Sequence, residues 1–104
     1  MNEIDKAVNT AYVPVALKLA VAVRALRNAF DMSQSELADL ANCSRPTINR
    51  IETIDKASPR SDTVERLLQV FRDRGVEIQI RDADVIVRFG PESIKQATRE
   101  ASSE

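Results

Sequence analysis

With 104 residues, 43% of them hydrophobic and 30% charged, the chain has the composition of one small globular domain, which excludes a disordered polymer and a disulfide scaffold. One cysteine and no histidine leave neither a disulfide pair nor a nitrogen and sulfur ligand set, so no metal and no cofactor is expected. A formal charge of -1 gives no bulk attraction to a polyanion, and any such contact needs a local cluster of basic side chains.

A core drawn from so short a chain is marginal, so a second copy is expected to add buried surface. The most apolar stretch, Tyr12 to Val23, carries Pro14 and Lys18. It is shorter than the about 20 residues needed to cross a bilayer. No secretory signal is recognised ahead of it, so a cytoplasmic protein with no membrane partner is expected.

In chain order, residues 2 to 11 read as a short separate helix with Ile4 and Val8 on one face. Pro14 to Phe30 reads as one long helix, with Pro14 in the first turn, where its missing N–H leaves no bond unmade. Its apolar residues Val15, Leu17, Leu19, Val21, Val23, Leu26 and Phe30 cover more than one stripe and predict burial on two sides, one of them available to a second subunit.

Ser33 and Glu36 have the spacing of a capping box and open a helix from Gln34 to about Ala41, with Leu37, Ala38 and Ala41 inward. Asn42 suits the left-handed turn that follows. Ser44 caps the next helix, Arg45 to Thr53, with Pro46 in its first turn. At about 100° per residue, Ser44, Ile48 and Ile51 fall on one side, and Pro46, Asn49, Arg50 and Thr53 on the other. A short helix thus offers guanidinium, amide and hydroxyl groups outward.

After a loop with Ser58, Pro59 and Arg60, Ser61 is expected to cap a helix that ends near Arg74, with Gly75 as its stop and Val64, Leu67, Leu68 and Phe71 inward. The period then changes to two. Val76, Ile78 and Ile80, then Val85, Val87 and Phe89, form a hairpin around the turn Asp82-Ala83-Asp84. An isolated hairpin is marginal, so it must pack on a helix or pair with its copy, and these six residues are the leading dimerisation element. Residues 91–104 read as a tail or a short frayed helix. The expected fold is mainly α: a helical domain over 1–75, a hairpin over 76–90 and the tail.

Three stretches, Arg24-Ala25-Leu26-Arg27, Ser33-Gln34-Ser35-Glu36-Leu37-Ala38 and Ser44-Arg45-Pro46-Thr47-Ile48-Asn49-Arg50-Ile51-Glu52, together closely resemble the XRE family of helix-turn-helix proteins, which includes phage repressors and Cro. The resemblance covers about residues 16 to 75, with the motif itself at about 33–53. It implies a compact helical domain whose third helix enters the major groove, and dimers on paired half-sites. It also implies that Gln34 contacts phosphate, that Arg45, Pro46, Asn49 and Arg50 form the base-reading surface, that Thr47 touches the backbone, and that Arg27 and Glu52 form a buried structural ion pair. The chain departs from the family pattern at Asp31 and Asn42, which replace common turn glycines, and at Leu40, which stands at a generally polar position.

Each of these residues also has a plainer role. Arg50 is assigned to a bidentate pair with guanine rather than to a solvated surface; Arg45 and Asn49 also read bases, with phosphate as the alternative for Asn49. Pro46 shapes the helix start or meets a thymine methyl. Ser44 and Thr53 flank the reading surface as phosphate contacts, and for Lys56 and Arg60 phosphate contact competes with simple exposure. Cys43 reads as a small turn residue rather than a redox sensor. Asp82 and Asp84 read as turn residues, and no nucleophile, base or phosphate loop accompanies them, so no enzyme is expected.

The expected function is a sequence-specific DNA-binding transcription regulator, a homodimeric repressor on an inverted-repeat operator. The alternative is an antitoxin that regulates its own operon while another surface holds a toxin or other antagonist protein. The expected partners are thus double-stranded DNA, a second copy and, in the alternative, that protein.

Overall fold

The structure is a computed structural model that describes residues 13–53 and 60–102, with side chains in the last helix as far as Thr98. The helix expected within residues 2 to 11, the loop residues Ser58 and Pro59, and Lys56 lie outside the described residues. The described chain forms α1 (Val15–Ala29), α2 (Gln34–Leu40), α3 (Arg45–Thr53), α4 (Ser61–Arg72), β1 (Val76–Ile80), β2 (Val85–Phe89) and α5 (Pro91–Ser102). The fold is mainly helical, with one antiparallel hairpin after the fourth helix. None of these helices is long and apolar enough to cross a membrane.

The first helix begins one residue later than expected. Pro14 has an extended ψ of 139° and serves as N-cap, its carbonyl accepting from the N–H groups of Leu17 and Lys18. Leu19, Val23 and Leu26 face inward and join Phe30, Leu37, Ile48, Leu67, Leu68 and Phe71 in one core. The second side is not buried among the described residues, where Leu17 and Val21 are 40% and 54% exposed. Lys18 is buried instead, its ammonium donating to the carbonyls of Arg81 and Asp82 at the hairpin tip. Beside it the Val13 N–H donates to the Asp82 carbonyl at 2.7 Å, so the start of α1 is tied to the hairpin.

Both early turns end in the same way. Asp31 and Asn42 have φ of 51° and 54°. The next N–H in each case reaches back to the last turn, Met32 to the Arg27 carbonyl and Cys43 to the Ala38 carbonyl, both at 2.9 Å. A left-handed residue between two such bonds is a Schellman ending, which favours glycine and tolerates asparagine. Asn42→Ala is therefore expected to lower stability by about 1 kcal/mol, whereas Asn42→Gly leaves it unchanged or raises it. Thermal unfolding followed by circular dichroism checks this, and equal tolerance of both substitutions would contradict it.

The cap of α4 differs from expectation. Arg60 is the N-cap residue without a side-chain bond, and Ser61 is already helical. The first-turn donor is satisfied from within, since the Asp62 carboxylate accepts from the Thr63 N–H at 3.0 Å. The helix stops at Arg72, and Gly75, with φ 86°, completes the turn into β1. A Cβ on Gly75 would lie 3.1 Å from the Ser93 backbone nitrogen, so glycine there also lets α5 come close.

In the hairpin Val76 pairs with Phe89, Ile78 with Val87 and Ile80 with Val85, which puts all six on one face. That face turns toward the chain's own helices: Val76 and Ile78 are 2% and 7% exposed, and Val85 and Val87 pack on the same core. Phe89 lies 6.3 Å from Phe30, centroid to centroid. The row assigned to a second copy is thus largely occupied inside one chain.

Residues 91–102, expected as a tail or frayed helix, form α5. Ser93 is fully buried and its hydroxyl donates to the Gly90 carbonyl at 2.8 Å, while Ala97 touches the core. Ile94, the large apolar residue of this segment, is exposed. Small residues let the helix sit close to the Gly75 turn, a fit that an isoleucine could not make.

Candidate nucleic-acid interface

The geometry of the candidate surface starts from what holds α3. Ile48, Ile51 and Glu52 are buried, and Arg45, Pro46, Asn49, Arg50 and Thr53 are exposed along the other side. Ser44, projected inward, is exposed, because an N-cap residue precedes the regular turn. Its Oγ accepts from the Thr47 N–H at 3.3 Å and lies 2.8 Å from Thr47 Oγ1. The Thr53 hydroxyl donates to the Asn49 carbonyl at 2.8 Å. Arg50 Nε donates to the Pro46 carbonyl at 3.3 Å, which keeps the guanidinium on the outer side of its own helix.

Beneath this surface Arg27 donates two parallel bonds to Glu52, Nε to Oε2 at 2.7 Å and Nη2 to Oε1 at 3.0 Å. The Glu52 side chain is 4% exposed and that of Arg27 18%. The hydrogen bond to Glu52, against the opposing effect of burial, holds the Arg27 guanidinium above its already high pKa. A third donor of Arg27, Nη1, reaches the Met32 carbonyl at 2.9 Å. Gln34 adds its amide, donating to Glu52 Oε1 at 3.2 Å. One ion pair and its partners therefore link α1, the turn after it, the start of α2 and α3. Gln34 is half-buried, and its amide retains a second N–H for an outside acceptor.

The polar face of α4 adds a brace that periodicity did not reveal. Arg66 Nε donates to the Ala41 carbonyl at the end of α2 at 2.9 Å, and Asp62 and Thr63 accept from its other nitrogens. By its spacing alone, Arg66 reads as a solvated residue. Arg60 lies on the surface, its side chain 84% exposed and 3.4 Å from Asp62. Burial pushes the Cys43 thiol up, against the nearby charge of Arg66, which keeps it protonated and fits a packed turn residue. Asp84 pairs with Arg81 at 3.1 Å in the hairpin turn. Among the described residues no group of three or more histidine, cysteine, aspartate or glutamate side chains could hold a metal ion.

The site is thus a short helix, fixed from below by two isoleucines and a bidentate ion pair, presenting two guanidinium groups and an amide to solvent. These groups match the hydrogen-bonding edges of bases in a major groove wide enough for a helix. A family model described as Helix-turn-helix matches residues 23–74, half of the chain. Neither the curated proteins nor the solved structures contain a significant match. The matched span runs from within α1 through α4 and its closing turn; the hairpin and α5 lie beyond it.

Proposed function

The chain belongs to the XRE family of helix-turn-helix DNA-binding proteins, and on that membership we propose that this transcription regulator is a homodimeric repressor reading an inverted-repeat operator with α3. The observation that carries the reading is the outward row of Arg45, Pro46, Asn49 and Arg50 on a helix anchored by Ile48, Ile51 and Glu52. In this reading Arg45 and Arg50 pair with guanine, Asn49 with adenine, and Pro46 contacts a thymine methyl. Gln34, Ser44, Thr47, Thr53, Lys56 and Arg60 contact the phosphates that fix the register, Thr53 by giving up its bond to the Asn49 carbonyl.

Selection of bound sequences from random duplex DNA tests the proposal. It is expected to return an inverted repeat whose half-site centres lie one helical turn, about 10 base pairs, apart. Recovery of no common sequence would contradict it. A second reading, an antitoxin that also binds its own operator, is supported by the exposed Leu17 and Val21 on α1. A second small protein that copurifies and stays attached at high salt would favour it, since counterion release weakens DNA contacts but not apolar ones.

A further inference from the structure

The hairpin has two outer edges, and among the described residues a side chain bonds to the backbone of one of them, β1. Which backbone groups point outward follows from the pairing: the Gly90 N–H donates to the Gly75 carbonyl and the Arg81 N–H to the Asp84 carbonyl, so both ends of the ladder are hydrogen-bonded pairs. Alternation then makes Glu77 with Arg88 and Gln79 with Ile86 bonded pairs too, and leaves Val76 with Phe89, Ile78 with Val87 and Ile80 with Val85 unbonded. The N–H and C=O groups of these last six residues point out of the hairpin. Arg72 agrees with this, because its Nη2 reaches the Ile78 carbonyl from α4 at 3.3 Å. That contact occupies one acceptor in the middle of the β1 edge, so a strand added there could not complete its ladder. On β2 the outward groups of Val85, Val87 and Phe89 have no hydrogen-bond partner among the described residues.

Resting on the dimer in the reading above, we infer that the β2 edge pairs antiparallel with the β2 edge of a second copy, about a twofold axis at Val87. Centred there, Val87 faces its own copy, Val85 faces Phe89, and every outward N–H and C=O of the strand is bonded. The side chains match as well. On the core side Val85 meets the Phe89 that one chain leaves 37% exposed. On the outer side Ile86, 39% exposed, lies opposite Arg88 rather than Arg88 opposite itself, so no like charges meet. Arg88 already has a partner in Glu77 at 3.1 Å. The strand lacks three of the devices that keep free edges apart: Val85-Ile86-Val87-Arg88-Phe89 contains no proline and no inward charge, and its register contains no bulge, while its one charge, Arg88, lies on the outer face.

Two measurements on the full chain test this. Amide hydrogen exchange by NMR is expected to show Val85, Val87 and Phe89 protected at concentrations where the protein is dimeric and exposed on dilution to monomer. Fast exchange of all three in a proven dimer would overturn the inference while leaving a DNA-binding dimer intact through another surface. Protection that persists in the monomer would equally overturn it. Val87→Pro removes an N–H that makes no bond within the hairpin, and is expected to weaken dimerisation by about tenfold or more. Unchanged dimerisation in this variant would contradict the pairing; should it fail to fold, the exchange pattern of the parent chain still decides.

Discussion

Arg27→Met is expected to destabilise the chain by about 3 kcal/mol, a fall of more than about 10 °C in the midpoint of thermal unfolding. The loss comes from what remains. Glu52, 4% exposed, would be left with the Gln34 amide as its remaining donor and no opposite charge beside it, and the Met32 carbonyl would lose its donor as well. The figure is placed at the low end for a severed buried pair because Arg27 is itself 18% exposed and water can reach its place. Replacing both partners by methionine is expected to recover most of the loss, since two well-packed apolar side chains leave no unpaired charge. A double variant as unstable as the sum of the two single ones would show that the residues are not coupled. The same pair sets the angle of α3 against α1, so Arg27→Met is also expected to weaken DNA binding beyond what its lost stability explains.

The second large effect concerns specificity. Arg50→Ala is expected to flatten the preference at one base-pair position of each half-site by about 1 to 3 kcal/mol while leaving the fold unchanged. In the free protein its guanidinium makes one long bond, 3.3 Å to the Pro46 carbonyl, which is easily exchanged for a guanine edge. Gln34→Ala is expected to act differently, weakening all sequences to a similar extent, because the proposed reading gives the amide at the start of α2 to the phosphate chain and not to the bases. Comparing the two variants on a panel of single-base operator changes separates the roles. An unchanged preference profile for Arg50→Ala would remove that residue from the reading surface.

Much of this architecture was legible because local physics and tertiary packing agree. The capping box of Ser33 and Glu36 is present in both directions, Asn42 adopts the left-handed conformation its side chain tolerates, and alternating residues fix the hairpin face. The outward side of α3 followed from the positions of Ile48 and Ile51 alone. What was not legible depends on polar side chains that act across long stretches of chain. Lys18 lies in an apolar run, yet it is buried against carbonyls more than sixty residues away. Arg66 reads as solvated and closes the end of α2. Gln34 bonds to Glu52 through a turn whose path the sequence does not reveal. The last helix was underestimated for a related reason: it docks through Ser93 and Ala97, small residues that carry little hydrophobic signal, and leaves Ile94 in solvent.

The most direct measurement is a titration of the protein with a selected duplex, followed through the side-chain N–H resonances of Arg50 and Asn49. Large shifts in both, with slowed solvent exchange of the Arg50 Nε–H, are what base contact by α3 predicts. Binding of the duplex with those signals unmoved, and with shifts confined to another face of the molecule, would contradict it.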